Sequence, residues 1–357
     1  MTRPGPFLRT SYLESNEVLP RPYHKVLVII IVLMLLLPPM LMSNFYVHLL
    51  NTVLLAVIAV VGLNLLTGYC GQISLGHAAF LAIGAFTTVI LTRMEVPFVV
   101  VIPAAGMVGA ALGLAVGLPS LRFRGIYLAI STLAMHYAVV YVVTTYQSSI
   151  GSSASGGVYL TDPSFFGYEL SDDRAWYYFL LVAAALTVIF VINLSRSRVG
   201  RAWMAIRDRD IAAAALGINV LHFKLLAFVT SSTLASIAGS LAAYYQNVVT
   251  SEAYTLELAV AYLAMIIVGG IGSVLGAIFG AIFITLLPYG VDFLFEFAPN
   301  SWRFGGRTFG VQQGMIGVFI ILFLLFEPKG LVEMWRRIET YFERWPFRYR
   351  PLEQTRR

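Results

Sequence analysis

Ser195–Lys224 reads SRSRVGRAWMAIRDRDIAAAALGINVLHFK. Six of the chain's 24 lysines and arginines stand here (Arg196, Arg198, Arg201, Arg207, Arg209 and Lys224), with Asp208 and Asp210 among them. On either side the chain runs for twenty or more residues without a charge. A charge at the centre of a bilayer costs about 2.5–3.5 kcal/mol on insertion scales. These charges therefore face water or protein, and their flanks are the membrane spans. Ala202–Leu216 is built of residues tolerated or favoured in a helix, with Arg207/Asp210 and Arg207/Ile211 at i,i+3 and i,i+4 spacing. Gly217 supplies the left-handed cap that stops a helix. The pattern predicts one short helix lying across the ends of two spans. It is either a handle for something outside the membrane or a basic loop that only sets topology, and charge and propensity alone leave both open.

The rest of the composition agrees with a membrane chain. The 357 residues are 59% hydrophobic and 12% charged, with a mean hydropathy of +0.80; soluble domains carry about 25% charged residues. The formal charge of +6 does not point to nucleic acid, because the basic residues alternate with apolar spans and form no single patch. One cysteine, Cys70, allows no internal disulfide and belongs to no metal-ligand motif.

Uncharged windows occur at 26–42, 44–92, 96–118, 125–147, 175–194, 225–248, 258–291 and 311–326. A membrane helix needs about 20 apolar residues, so two of these windows hold two helices each. The first breaks at Thr67-Gly-Tyr-Cys-Gly-Gln72, giving spans near 46–66 and 73–92; the second breaks at Gly269-Gly-Ile-Gly-Ser273, giving spans near 255–271 and 274–291. That predicts an all-α, polytopic fold of about ten transmembrane helices. With both termini in the cytoplasm, the inside segments 1–25, 67–72, 119–124, 195–224, 269–273 and 327–357 hold 4, 0, 2, 6, 0 and 8 basic residues. Only Arg93, Arg174, Arg303 and Arg307 fall outside, as the positive-inside rule requires. No small-residue cleavage site follows the window at 26–42, so it is expected to be a retained span rather than a signal peptide. The domain reading is a cytoplasmic tail at 1–25, a transmembrane domain at 26–326 with an outer loop at 148–174, and a basic cytoplasmic tail at 327–357.

Small residues recur at helix-packing spacing, at Gly109, Gly113 and Gly117 and again at Gly272, Gly276 and Gly280. Such faces let backbones approach closely in lipid, either within the chain or in a dimer seam. The spans on either side of the middle loop also begin with opposite orientation, as in an inverted-repeat transporter.

Catalytic motifs are missing. The three lysines, Lys25, Lys224 and Lys329, follow His24, Phe223 and Pro328, so none completes the GxxxxGK[ST] phosphate loop. No HExxH, paired Cys/His or GxSxG pattern occurs. Ion-coupled carriers place carboxylates inside the membrane, whereas here the acidic residues lie in loops, tails or at span edges such as Glu95, Glu257 and Asp292. The ionisable residues well inside spans are His77 and His136. The chain reads as a transport pathway without its own engine. Candidates for lining that pathway are Gln72, Ser74 and His77 after the first break, where backbone groups are free to meet a polar solute, and Tyr127, Ser131 and His136 in the span near 125–147. Hydrogen bonding between helices is the alternative reading for each of them.

Gly68-Tyr-Cys-Gly-Gln-Ile-Ser-Leu-Gly-His-Ala-Ala-Phe80, continuing Leu-Ala-Ile-Gly-Ala85, resembles the signature of the LivM-type permeases of branched-chain amino-acid ABC importers, the hydrophobic amino acid uptake family. Gly200-Arg-Ala202, Ala205-Ile-Arg207 and Ile211–Asn219 resemble that family's cytoplasmic loop, and Phe326-Glu-Pro-Lys-Gly-Leu331 its C-terminal end. The likeness covers about residues 45–335. It implies an ABC importer type II-like permease, in the inner (plasma) membrane of a bacterium, that moves branched-chain or related amino acids. It implies a homologous second permease subunit, two ATP-binding subunits that hold the ATP, and an extracytoplasmic solute-binding protein, with no cofactor or metal in this chain. Coupling to the ATPase is then expected through Arg201, Ile206, Arg207, Asp210, Ala213 and Gly217. Two departures stand out. The loop lacks the glutamate that opens the coupling motif of ABC permeases, and Ser152-Ser-Ala-Ser-Gly-Gly157 stands where many relatives have a Thr-Gly-Gly-x-x-Gly-like turn. Importers of urea, amides or other small carboxylates share the architecture, which leaves the solute open; a stand-alone secondary carrier is the remaining alternative.

Overall fold

The computed structural model describes residues 34–120, 126–150, 157–161, 163–165, 168–296 and 330–344, with isolated positions between 314 and 325. Its membrane helices are α1 (Asn44–Asn64), α2 (His77–Arg93), α3 (Phe98–Ser120), α4 (Ile126–Ser149) and α5 (Asp173–Arg196). Two short helices follow, α6 (Arg198–Asp208) and α7 (Asp210–Ala215). Then come α8 (Val220–Gln246), α9 (Leu256–Gly269), α10 (Val274–Glu296) and, after a gap, α11 (Leu331–Arg344). Among the described residues seven helices are long and apolar enough to cross a membrane, and His77–Arg93 is a shorter apolar helix. These eight coincide with eight of the ten predicted spans. Of the first predicted span, 26–42, the described part is 34–42, with one helical turn at Pro38–Leu41; the last, 311–326, lies largely outside the described residues, as do the tail at 1–25 and residues 151–156 of the loop at 148–174.

The bundle is built around α1. From Val53 to Leu63 this helix carries no polar side chain, and a stretch apolar on every side is buried all round. Ile58, Val60 and Leu63 have no exposed surface, and α5, α8, α9 and α10 surround the helix. The second core element is α8, which packs along α2 and α3 through small residues and hydroxyls. A side chain at Gly84 would collide with the Ser236 backbone, and one at Gly239 with the Leu81 backbone. At that crossing Ser236 Oγ donates to Phe80 O at 2.9 Å and Thr88 Oγ1 donates to Ser240 Oγ at 2.6 Å. Both predicted glycine faces are seams within the chain. Gly109, Gly113 and Gly117 of α3 lie on Ser236, Ser232 and Leu225 of α8, while Gly276 and Gly280 of α10 lie on Gly269 and Met265 of α9. Gly272 belongs instead to the α9–α10 turn, where its φ of +78° suits glycine.

Three boundaries differ from the sequence reading. The span near 46–66 runs on as a π-helix, Leu65–Tyr69, and the next helix begins at His77 rather than near 73. Residues 70–76 are therefore a linker, and Gln72 and Ser74 lie on it. The helix expected over 202–216 is two helices, separated by Arg209 in an extended conformation (φ −157°, ψ 106°). Electrostatics explains the break. An acid favours a helix N-terminus over its C-terminus, and in Asp208-Arg209-Asp210 the second acid starts a new first turn, where it pairs with Lys224 Nζ at 3.6 Å. Gly217, with φ +86°, stops the second helix as expected.

Candidate functional site

The two chain breaks seen in the sequence, 202 residues apart at 67 and 269, meet in space, and the α6–α7 hairpin sits on both. Asn64, the last amide before the first break, holds them together. Its Nδ2 donates to Ser273 O at 3.0 Å and its Oδ1 accepts from Gly272 N at 3.1 Å. A Cβ at Gly68 would meet Gly272 N at 2.6 Å, so the two turns touch backbone to backbone.

Onto this junction α6 places Arg207, whose Nη1 donates to Gly68 O at 2.9 Å. The same nitrogen would come within 2.6 Å of a Cβ at Gly272, and Arg207 Cγ within 3.0 Å of one at Gly71. The glycines at both breaks leave room for one guanidinium. Arg207 also contacts Asp208 Oδ1 at 3.4 Å. The helix that carries it is capped by Ser197, whose side chain accepts from Val199 N at 3.1 Å, and is pinned by Trp203. That indole is fully buried and donates to Phe223 O, at the start of α8, at 2.7 Å.

The hairpin has two faces. Ile206 and Ala213 are buried, Asp210 is tied to Lys224, and Arg207 is turned onto the breaks. Arg201 and Gly217 are exposed. Two apolar residues absent from the sequence-based set, Ile211 and Leu216, are 74% and 82% exposed, Ile211 standing at the edge of the cavity beside the hairpin. Where the spacing suggested an Arg207/Asp210 pair, the break at Arg209 lies between them, and Arg207 bonds to Gly68 O and Asp208 while Asp210 meets Lys224.

Behind the hairpin lies a cavity of about 670 Å³, lined among others by Gln72, Ile73, Leu128, Arg207, Arg209 and Lys224. Gln72 is 4% exposed, and neither end of its amide has a partner among the described residues. The linker that carries it is fastened to α4 by Thr132, whose Oγ1 accepts from Leu75 N at 3.0 Å. The other path candidates separate. Ser74 accepts from Gly76 N at 3.3 Å, and His77 Nε2 is bonded to Ala59 O at 3.1 Å with Tyr262 edge-on to the ring. Both read as packing. On α4, Tyr127 is largely exposed, Ser131 half-buried and His136 buried, with His136 Nδ1 unpartnered among the described residues. None of these three lines the cavity that holds Gln72.

At the opposite end of α1 a second polar cluster joins three helices. Tyr245 Oη donates to Asp173 Oδ1 at 2.9 Å and lies 2.7 Å from His48 Nδ1, while Asn51 Nδ2 donates to Asp173 O at 2.9 Å. These residues stand at span ends scattered through the chain, and no local pattern in the sequence links them.

A bundle of apolar helices around a central helix whose middle is wholly apolar, with a charged hairpin clamped on two glycine turns, defines a multi-pass membrane permease. The chain belongs to the family described as branched-chain amino acid transport system / permease component, whose sequence profile matches residues 45–324. It is 32% identical over 321 residues to the high-affinity branched-chain amino acid transport system permease protein LivM of Salmonella typhimurium, covering 83% of this chain and 72% of that one. It is 27% identical to BraD of Pseudomonas aeruginosa, a protein of the same description, over 76% of this chain and 89% of the relative. It is also 26% identical to the fructose import permease protein FruG of Bifidobacterium longum, over 71% of this chain and 74% of that one. No solved structure matches the chain.

Proposed function

We propose that this chain is a translocation subunit for branched-chain or related amino acids, worked by separate ATP-binding subunits through the α6–α7 hairpin. The observation that carries the reading is Arg207 on Gly68, which fastens a cytoplasmic helix directly to the turns that interrupt two membrane windows. A push on the exposed residues of the hairpin, at Arg201, Arg209, Ile211 and Leu216, reaches both turns through the capped helix α6, which carries Arg207. The proposed topology has both termini inside and about ten spans, and the charge distribution supports it, since that arrangement keeps 20 of 24 basic residues in the cytoplasm. A homologous second permease subunit, two ATPase subunits and an outer solute-binding protein complete the assembly. The chain itself holds no ATP, metal or cofactor.

The solute leaves past Gln72. A buried amide without partners is costly, and an amino acid offers an acceptor and a donor that match its two ends. Branched-chain amino acids are favoured over urea, amides or small carboxylates because the matching family and the relatives LivM and BraD carry that description. The test is reconstitution of the four-component complex in liposomes, with ATP hydrolysis measured as leucine, isoleucine, valine, urea and fructose are added in turn with the binding protein. Stimulation by the branched-chain amino acids supports the proposal. Stimulation by another solute alone would reassign it, and leucine uptake without ATPase subunits would move the chain to the secondary carriers.

A further inference from the structure

The C-terminal helix α11 takes no part in the site above, yet it starts beside it. A Cβ at Gly330 would lie 2.7 Å from Gly270 N, so the helix leaves from the same α9–α10 turn that Asn64 and Arg207 grip. Val332, two residues on, is buried. The helix reads LVEMWRRIETYFER, with Leu331, Met334, Trp335, Ile338 and Tyr341 on one face and Glu333, Arg336 and Arg337 off it. Its apolar face does not close on the bundle. Phe279 and Trp335 meet with ring centroids 5.9 Å apart, but beyond them α10 and α11 leave a cavity of about 640 Å³. Phe279, Phe283, Leu286, Met334, Trp335 and Ile338 line it, and among the described residues no charged side chain does. Met334, Trp335 and Ile338 are 40%, 45% and 48% exposed.

We infer that this slot holds an acyl chain of an anionic phospholipid of the cytoplasmic leaflet, drawn there by the exposed arginines of the same helix, Arg336 and Arg337. Three observations single out that occupant. The slot is apolar along its length and of a size, within the roughly 300–1,000 Å³ of small-ligand pockets, that water would not fill stably. One of its walls, α11, starts beside the α9–α10 turn, and an amphipathic helix with tryptophan on its apolar face and arginines off it suits a membrane interface. Both arginines are exposed, and residues 327–357 carry eight basic against five acidic residues, which suits the negative cytoplasmic leaflet. The inference rests on the orientation under Proposed function, but it is read by lipid contact rather than by transport.

The test uses the full transporter complex in bilayers that contain either phosphatidylglycerol or phosphatidylcholine with brominated acyl chains. The fluorescence lost on Trp335→Phe isolates the Trp335 signal. Bromine in either lipid should quench that signal, and phosphatidylglycerol should do so several-fold more effectively at a low mole fraction. The double variant Arg336→Gln/Arg337→Gln should quench equally with both lipids while ATPase activity stimulated by solute remains. No quenching of Trp335 would mean that a protein subunit covers the slot and would overturn the inference. Equal quenching by the two lipids in the unaltered chain would overturn the headgroup assignment and leave an ordinary annular contact.

Discussion

The guanidinium of Arg207 donates to the carbonyl oxygen of Gly68 across 2.9 Å, joining residues 139 apart in the chain. One of the partners is on a water-facing helix and the other is in a π-helical turn at the end of the central span. A π-helix leaves backbone groups out of the regular ladder and is found often at functional positions. Here the displaced carbonyl is the acceptor for the charged residue of the hairpin.

Arg207→Lys keeps the charge but loses the planar fork that reaches both turns. A hydrogen bond to a charged group contributes about 1.5–3 kcal/mol, and the side chain is 37% exposed, which argues for the low end. Solute-stimulated ATP hydrolysis should fall about tenfold while basal hydrolysis and assembly persist. Unchanged stimulation in the lysine variant would show that the contact does not transmit force.

Ile206→Asp and Ile211→Asp should part company. Ile206 is buried, so an aspartate there meets a desolvation cost of several kcal/mol, in the range of roughly 2–7 for an unpaired polar group. The hairpin should loosen and become sensitive to protease. Ile211 is exposed, and its variant should fold normally but no longer retain the ATPase subunits during purification. Retention of those subunits by Ile211→Asp would leave the hairpin as a topology-setting loop.

Ala213→Pro removes the bond from Ala213 N to Arg209 O, 3.0 Å long in the structure. The local cost is about 3 kcal/mol. Because α7 lies outside the apolar spans, membrane insertion should survive while transport and stimulated hydrolysis fall together. Loss of the protein from the membrane fraction would contradict a peripheral α7.

Asn64→Ala leaves Gly272 N and Ser273 O without their partner. At about 1–3 kcal/mol for each unsatisfied group, and about 2–4 °C per kcal/mol in a chain of this size, Tm in detergent should drop by roughly 5 °C. Asn64→Asp, which buries a carboxylate against the Ser273 carbonyl oxygen, should lower Tm at least as far. An unchanged Tm in Asn64→Ala would mean that the turns hold together without it.

Cys70 is buried, and burial pushes its thiol up to about 12. Since the thiolate is the reactive form, water-soluble maleimide at pH 7–8 should leave the native chain unlabelled. Cysteines at Thr161 and Asp208, both exposed, then report topology without replacing Cys70. In intact cells only the Thr161 variant should label; labelling of the Asp208 variant would reverse the proposed orientation.

Much was legible in the sequence because membrane insertion is governed by local composition. A run of apolar residues is long enough to span or it is not, and Gly269-Gly-Ile-Gly-Ser273 punctuates its window where the structure turns. The glycine faces of α3 and α10 could be seen as close-packing surfaces, though not what they would pack against. Spacing could not show that Asp208-Arg209-Asp210 splits a helix, because alanine-rich flanks favour helix at every position and the choice is made by Lys224 on another element. It could not separate Gln72 from Ser74 and His77 either, since all three are polar residues beside one break.

What the sequence by itself determined is which segments enter the membrane and that the stretch at 195–224 stays out, because transfer of each segment is a sum over its own residues. Only the tertiary structure decided that the breaks at 67–72 and 269–273 are one place, that Asn64 and Arg207 belong to it, and that Ile206 faces inward while Ile211 faces outward. Those outcomes depend on which backbone groups are left without partners once the helices pack. A bond such as Arg207 to Gly68 forms between groups that no local pattern relates, and it exists only after the bundle has brought them within 3 Å.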